Sequence, residues 1–70
     1  MTRREIGANV RAVRERRGRS LEWVAEQTGL SRSALSRMEL GEQAQDAEDL
    51  SKIADALDCR ASAFYAERAA

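Results

Sequence analysis

The chain has 70 residues, of which 43% are hydrophobic and 34% charged, and its twelve basic and twelve acidic side chains cancel to a net charge of zero. This length and composition predict one small globular domain spanning residues 1–70, which buries only about 60% of the surface of its unfolded chain. The absence of histidine and the single cysteine, Cys59, exclude an internal disulfide, the usual zinc and iron ligand sets, and Ser-His or Cys-His nucleophile pairs.

The same counts limit the classes of function. A domain this small has little room for a substrate pocket, so we expect no enzyme, no cofactor and no metal site. No apolar run is long enough for a membrane span or a signal peptide, which predicts a cytoplasmic protein without a membrane partner. Cys59 is expected to be a small buried apolar residue, and the alternative is a reactive thiol.

Charge is divided unevenly along the chain. Residues 1–37 hold nine arginines against four glutamates, for +5, and residues 38–70 hold three basic against eight acidic side chains, for −5. This division predicts one basic end and one acidic end of the domain. The alternative is a chance drift of surface charge.

The first two predicted helices begin at capping residues and end at glycines. Thr2 followed by Glu5 has the pattern of a capping box, and the helix that follows ends near Gly18. Ser20 caps a second helix of about eight residues, which Gly29 ends because glycine readily adopts a left-handed backbone. The apolar residues recur at helical spacing: Ile6, Val10 and Val13 in the first helix, and Leu21, Val24 and Ala25 in the second.

Three further helices follow. Ser31 caps a third helix that Gly41 closes, and Asp46 with Asp49 opens a fourth after the polar loop 42–45. The apolar positions of the fourth helix are Leu50, Ile53, Ala54 and Leu57. A last helix is predicted from residue 61 to about residue 69. No segment alternates as a strand does, so the expected fold is all-α, a compact bundle of five short helices.

The third helix has an unusual outer face. Leu35 and Met38 lie on its apolar side, and the opposite side carries only hydrogen-bond donors of two types: Arg32, Ser33, Ser36 and Arg37. Arginine binds guanine with two hydrogen bonds, serine hydroxyls suit a base or a phosphate, and the helix N-terminus capped by Ser31 can accept a phosphate. This face predicts a DNA-binding surface, and the alternative is an ordinary solvated face.

The segment before the third helix strengthens the DNA hypothesis, because a short helix and a tight turn precede it at the spacing of a helix-turn-helix. The run SLEWVAEQTGLSRSALSRMELG, residues 20–41, resembles the helix-turn-helix of the phage-repressor family, the Cro-like or Xre-type regulators. The shared features are Val24-Ala25 before the turn, the turn glycine, the serine cap, Ser-Arg before an apolar-Glu pair, and the closing glycine. The resemblance implies a five-helix bundle with its helix-turn-helix at about residues 20–40 and a recognition helix in the major groove.

The resemblance also implies roles for individual residues. The base-contacting positions of the family fall on the residues of the outer face, Arg32, Ser33, Ser36 and Arg37, and its phosphate-contacting positions fall on Ser20 and Leu21. Two departures matter. Leu21 stands where many members have glutamine, and the loop beginning at Glu42 lacks the basic residues that often follow the recognition helix. An acid near the DNA backbone repels it, so Glu42 is expected to point away or to limit affinity.

Three further side chains have predicted structural roles. Glu39 is turned toward the protein and needs a partner, and Arg14 at the border of the first helix is the candidate, a pairing that the family commonly shows. We interpret the two as a structural salt bridge, with a DNA contact for Arg14 as the alternative. Trp23 is expected to fold over the first helix or its arginine stems, with contact to a partner protein as the alternative.

The adjacent aromatic residues near the end of the chain predict a second role. Only one of Phe64 and Tyr65 can point fully inward, so the other is available for a contact between two copies. A homodimer held by the segment from Leu57 to Tyr65 suits an operator with paired half-sites, as the resemblance implies.

The patterns predict a DNA-binding transcriptional regulator, and the resemblance implies a small repressor that controls its own promoter. The alternative from another class is a protein-interaction module, such as an antitoxin that uses the same fold to mask a partner protein.

Overall fold

The computed structural model describes residues 1–67. Within them the chain forms four α-helices and one short 3-10 helix, and no strand. The elements are α1 (Arg3–Arg16), α2 (Leu21–Thr28), α3 (Arg32–Leu40), α4 (Ala47–Ala56) and the 3-10 helix (Ala61–Tyr65). The prediction of an all-α fold is therefore confirmed.

Each α-helix begins at the capping residue that the sequence predicts. Thr2 and Glu5 form a reciprocal capping box, in which each accepts a hydrogen bond from the backbone N–H of the other, at 3.1 and 3.0 Å. Ser20, Ser31 and Asp46 accept from the N–H three residues later at 3.0, 3.0 and 2.8 Å. These bonds satisfy backbone N–H donors that have no partner within the helix. Because few residue types can accept them, the helix starts can be predicted from the sequence.

The core is formed by apolar side chains from all five elements. The buried members are Val10, Val13, Val24, Leu35, Met38, Leu50, Ile53, Ala54, Leu57 and Phe64. α1 packs on α3 and the 3-10 helix, while α4 packs on α2 and the 3-10 helix. Among the described residues, the backbone of α4 approaches that of α2 and of the 3-10 helix but not that of α1 or α3.

The contact between α1 and α3 depends on a glycine. A Cβ atom at Gly7 would collide with the backbone carbonyl oxygens of Met38 and Glu39. α1 therefore approaches the C-terminal half of α3 more closely than any other residue would allow at this position. Nothing in the helical pattern of the sequence singles out Gly7.

The prediction for the last helix is wrong in its type and in its length within the described residues. The element is a 3-10 helix that ends at Tyr65, and Ala66 is extended. Residues 68 and 69 of the predicted helix lie outside the described part. Arg60, which precedes the element, makes no side-chain capping bond. The buried Asn9 side chain donates to the carbonyls of Phe64 and Ala66, at 2.9 and 3.0 Å, and so draws this segment onto α1.

The three predicted dimer-contact residues differ in exposure. Leu57 and Phe64 are 2% and 0% exposed, so their side chains belong to the core. A chain of this length has a small core and needs most of its large apolar side chains there. Tyr65 is 47% exposed and stands alone of the three as a surface residue.

Candidate nucleic-acid interface

The turn between α2 and α3 is tightly held. Gly29 has φ 77° and donates its N–H to the carbonyl of Ala25 at 2.9 Å. The Thr28 hydroxyl donates to the Val24 carbonyl at 2.8 Å and accepts from the N–H of Leu30 at 3.3 Å. With Val24 and Leu35 both 1% exposed beneath it, the turn fixes the angle at which α3 leaves α2.

α3 is divided into a buried and an exposed side. Leu35 and Met38 are each 1% exposed. On the opposite side, which we call the outer face of α3, lie the exposed Arg32, Ser33 and Arg37 and the half-buried Ser36. Since the apolar side is engaged in the core, the outer face can meet a ligand without any change of packing.

Both arginines of the outer face are braced by a neighbouring side chain. Arg32 Nε lies 2.7 Å from Glu22 Oε1, and the two side chains are 63% and 59% exposed. Arg37 Nε donates to Gln43 Oε1 at 2.9 Å. In each case the two terminal Nη groups are at the far end of the guanidinium. Sequence patterns did not reveal Glu22 or Gln43, because neither lies at helical spacing from its partner.

Glu22 is an ionised group at the start of a helix. A hydrogen bond from its own backbone N–H, together with the charge of Arg32, lowers the pKa of its carboxyl group. Ser20, which precedes it by two residues, caps α2 with its hydroxyl oxygen, and a hydrogen bond from its side chain helps to lower the pKa of Glu22. Leu21 packs against the core, so only its backbone N–H can meet a phosphate.

Arg14 and Glu39 lie in contact behind the outer face. Arg14 Nε and Nη2 donate to the two carboxylate oxygens of Glu39 at 2.7 and 3.0 Å, and the side chains are only 12% and 6% exposed. The hydrogen bonds to Glu39 raise the pKa of Arg14. Arg14 Nη1 donates to the Arg19 carbonyl at 2.9 Å. Its donors are therefore used within the protein, joining α1, α3 and the turn before α2.

Two residues near the interface have contacts that the sequence predicted only partly, for Trp23, or not at all, for Gln45. Trp23 is half-buried against the core and carries the guanidinium of Arg19 at 4.0 Å from its ring centre, so the arginine over it comes from the turn after α1. Gln45, which no motif marks, donates to the carbonyls of Met38 and Arg3 at 2.7 and 2.8 Å. It anchors the loop after α3 to both helices.

The loop that follows α3 keeps its acid in solvent. Glu42 is exposed, and its backbone N–H donates to the Arg37 carbonyl at 2.8 Å. This acid therefore comes directly after the glycine that ends α3, and a negative charge there counts against phosphate binding.

Other kinds of site are not built by the described residues. Residues 1–67 contain no group of histidine, cysteine, aspartate or glutamate side chains that could hold a metal ion. Cys59 is half-buried rather than fully buried, and desolvation raises the pKa of its thiol. Among the described residues, none of the helices has the length and apolar character required to span a bilayer.

A sequence model described as a helix-turn-helix domain matches residues 5–63. Comparison with curated proteins gives no significant match.

Solved structures extend this similarity over most of the chain. One is the restriction-modification controller protein C.AhdI from Aeromonas hydrophila, with TM-score 0.85, 29% identity, and coverage of 89% of this chain and 94% of that one. A second is the clp gene regulator ClgR from Corynebacterium glutamicum, with TM-score 0.88, 28% identity, and coverage of 93% and 84%. A third is an HTH_3 family transcriptional regulator from Vibrio cholerae, with TM-score 0.85, 35% identity, and coverage of 93% and 36%. The predicted resemblance is confirmed by these matches.

Proposed function

The chain belongs to the helix-turn-helix domain family of DNA-binding transcription regulators, and on that premise we propose that it binds a specific operator with α3 in the major groove. The observation that carries the proposal is the outer face of α3, where two arginines and two serines stand opposite a fully packed apolar side. Arg32 and Arg37 can donate to guanine, and Ser33 and Ser36 to bases or phosphates.

Phosphate contacts are proposed at the two helix starts. The hydroxyls of Ser20 and Ser31 cap α2 and α3 through their oxygens, and a hydroxyl can accept and donate at the same time. The free backbone N–H groups of each first turn add a positive dipole end. Such contacts would set the position of the protein on the duplex, while the outer face reads the bases.

We further propose a homodimer on paired half-sites, with recognition helices about 34 Å apart. Tyr65 supports this, because a large aromatic side chain is 47% exposed next to the core of a very small domain. Sedimentation at tens of micromolar should detect a dimer that Tyr65→Ser weakens. A protein that stays monomeric both alone and on DNA contradicts this part of the proposal.

A role as an autoregulating repressor, without catalytic activity, follows as part of the same proposal. A similar structure is that of a restriction-modification controller protein. An inverted repeat in the promoter of the chain's own gene is the expected operator, and deletion of that repeat should raise expression from the promoter.

One observation favours a second candidate function, an antitoxin-like module that masks a partner protein. At the end of α3, Leu40 is 50% exposed and the nearby Glu42 is also exposed. An apolar residue beside an acid suits a protein partner better than a phosphate backbone.

The deciding experiment is selection from a random-sequence duplex pool, followed by titration at several salt concentrations. Specific binding should enrich an inverted repeat, and affinity should fall linearly on a logarithmic salt scale as counterions are released. If no sequence is enriched and no duplex binds at low salt, DNA binding is wrong and the masking role becomes the better explanation.

A further inference from the structure

We propose that Glu22 is a positioning residue for Arg32 and raises the sequence discrimination of the outer face of α3. This inference rests on the proposed function, since it concerns how the DNA-binding surface distinguishes one duplex from another.

The ion pair joins the starts of the two helices that form the interface. Glu22 is the second residue of α2, and Arg32 is the first residue of α3. Their Oε1 and Nε atoms are 2.7 Å apart, so the two opposite charges are in close contact. Both side chains are more than half exposed, so the pair lies on the surface that the proposed function gives to DNA and adds little to the core.

The contact decides which edge of the guanidinium faces outward. A guanidinium carries five N–H donors, and the Glu22 carboxylate lies against the Nε side of the group. The four donors on the two Nη atoms stay available, and a pair of parallel donors is what guanine O6 and N7 accept. An exposed arginine without a partner samples many rotamers and must lose that freedom on binding. Glu22 therefore holds Arg32 ready for one mode of contact.

The contact also changes how Arg32 responds to phosphates. The carboxylate partly cancels the charge of Arg32 and itself repels the DNA backbone. Non-specific binding depends mainly on phosphate neutralisation, whereas specific binding also includes bonds to base edges. An acid placed here lowers the first more than the second, so the ratio of specific to non-specific affinity rises.

Arg37 supports this interpretation by its similar arrangement. Its Nε is also engaged by a neighbouring side chain, the neutral amide of Gln43 at 2.9 Å. The two arginines of the outer face thus present their Nη edges, and only the pair with Glu22 includes an opposing charge.

The test uses the full chain, a duplex selected from a random pool by the wild-type protein, and a scrambled duplex of equal composition. Glu22→Ala is compared with Glu26→Ala, which removes the same charge from α2 one turn later, at an exposed residue that has no ion pair among the described residues. Arg32→Ala and the double variant Glu22→Ala/Arg32→Ala complete a cycle.

Glu22→Ala should tighten binding to the scrambled duplex and lower the ratio of specific to non-specific affinity by about two- to fivefold, the value of one exposed ion pair. Glu26→Ala should leave that ratio unchanged. Removal of Glu22 should have no further effect on the ratio when Arg32 is already alanine. Repeated selection should show that Glu22→Ala and Arg32→Ala lose preference at the same base pair.

Several results overturn the proposal. Equal tightening on both duplexes would make Glu22 a simple repelling charge, and an effect that persists without Arg32 would assign it to another contact. Circular dichroism checks that each variant is folded, and Glu22→Gln, which removes the charge, replaces Glu22→Ala if that variant is not. If the wild-type protein enriches no sequence, the proposed function fails as well. That outcome is distinct from a wild type that discriminates while Glu22→Ala does so equally well.

Discussion

Two arginine–glutamate pairs involve α3, one shared with α1 and one with α2, and they differ in burial and in hydrogen bonding. Arg14–Glu39 lies between α1 and α3 with side chains 12% and 6% exposed, whereas Glu22–Arg32 lies between α2 and α3 with side chains about 60% exposed. Both contain a 2.7 Å contact to an arginine Nε. The same pair of residue types is therefore buried between two helices in one place and exposed on the surface proposed to bind DNA in the other.

The physical reason is the solvent around each pair. Water screens an exposed pair, which contributes little to stability, whereas removing one partner of a buried pair leaves a charge without compensation. The comparison teaches that an arginine near α3 can be assigned to the fold or to DNA by its burial and its remaining donors.

The largest expected effect is on the buried pair. Glu39→Ala should lower the free energy of unfolding by about 3–5 kcal/mol, because the guanidinium of Arg14 loses both carboxylate bonds and stays mostly buried. Urea unfolding measures the loss, with Glu22→Ala as the matched control on the exposed pair. A loss below about 1 kcal/mol would show that water reaches Arg14 and that the two pairs are equivalent.

The second effect separates base contacts from phosphate contacts. Arg37→Ala should weaken binding to the selected duplex by about 1–3 kcal/mol and binding to scrambled DNA much less. Arg3→Ala should weaken both about equally and reduce the salt slope by about one, since Arg3 is an exposed residue whose carbonyl is tied by Gln45 to the end of α3. Neither change should alter the unfolding midpoint in urea.

Equal losses on both duplexes for Arg37→Ala would assign Arg37 to a phosphate. No loss on either duplex would mean that the outer face of α3 is an ordinary solvated surface.

A smaller effect is expected on the stability of the exposed pair. Arg32→Ala should change the free energy of unfolding by less than about 1 kcal/mol, and the difference from wild type should shrink further at high salt. Thermal unfolding at low and high ionic strength measures it. A loss comparable with that of Glu39→Ala would mean that Glu22–Arg32 also supports the fold.

The smallest effect is the pH dependence of that pair. The pKa of Glu22 is lowered in the folded protein, so its contribution to stability is complete above the unfolded value of about 4.3 and is lost as the pH falls through the folded value. Wild type and Glu22→Gln should therefore differ at pH 7 and converge on acidification. Unfolding curves that stay parallel to low pH would contradict a paired, ionised Glu22.

Much of the interface was predictable from local patterns. Three features could be predicted because they depend on backbone geometry within a few residues of the chain. They are the caps at Ser20 and Ser31, the turn glycine and the helical spacing of Leu35 and Met38. The division of α3 into an apolar and an arginine-serine side follows from the same spacing. The Arg14–Glu39 salt bridge was predictable because each residue borders an apolar face and the resemblance implies a pairing of these two positions.

The contacts that complete the interface were not predictable in this way. Glu22 meets Arg32, Gln43 meets Arg37 and Gln45 meets the carbonyl of Met38, and each depends on the angle between elements or on the course of a loop. Exposed acids and glutamines fit many surface positions, so their type indicates no partner.

The sequence by itself determined the all-α fold, the starts of its four α-helices, the glycine ends of α2 and α3 and the polar character of the outer face of α3, because helix caps, glycines and apolar spacing act locally. The tertiary structure decided the rest. In the folded chain the side chains of Leu57 and Phe64 lie in the core rather than on a dimer surface. Asn9 holds the last segment, a 3-10 helix, against α1 by two hydrogen bonds. The tertiary structure also brought α1 and α3 together at Gly7. These outcomes follow from how a very small core is closed, and closure depends on residues far apart in the chain competing for the same few buried sites.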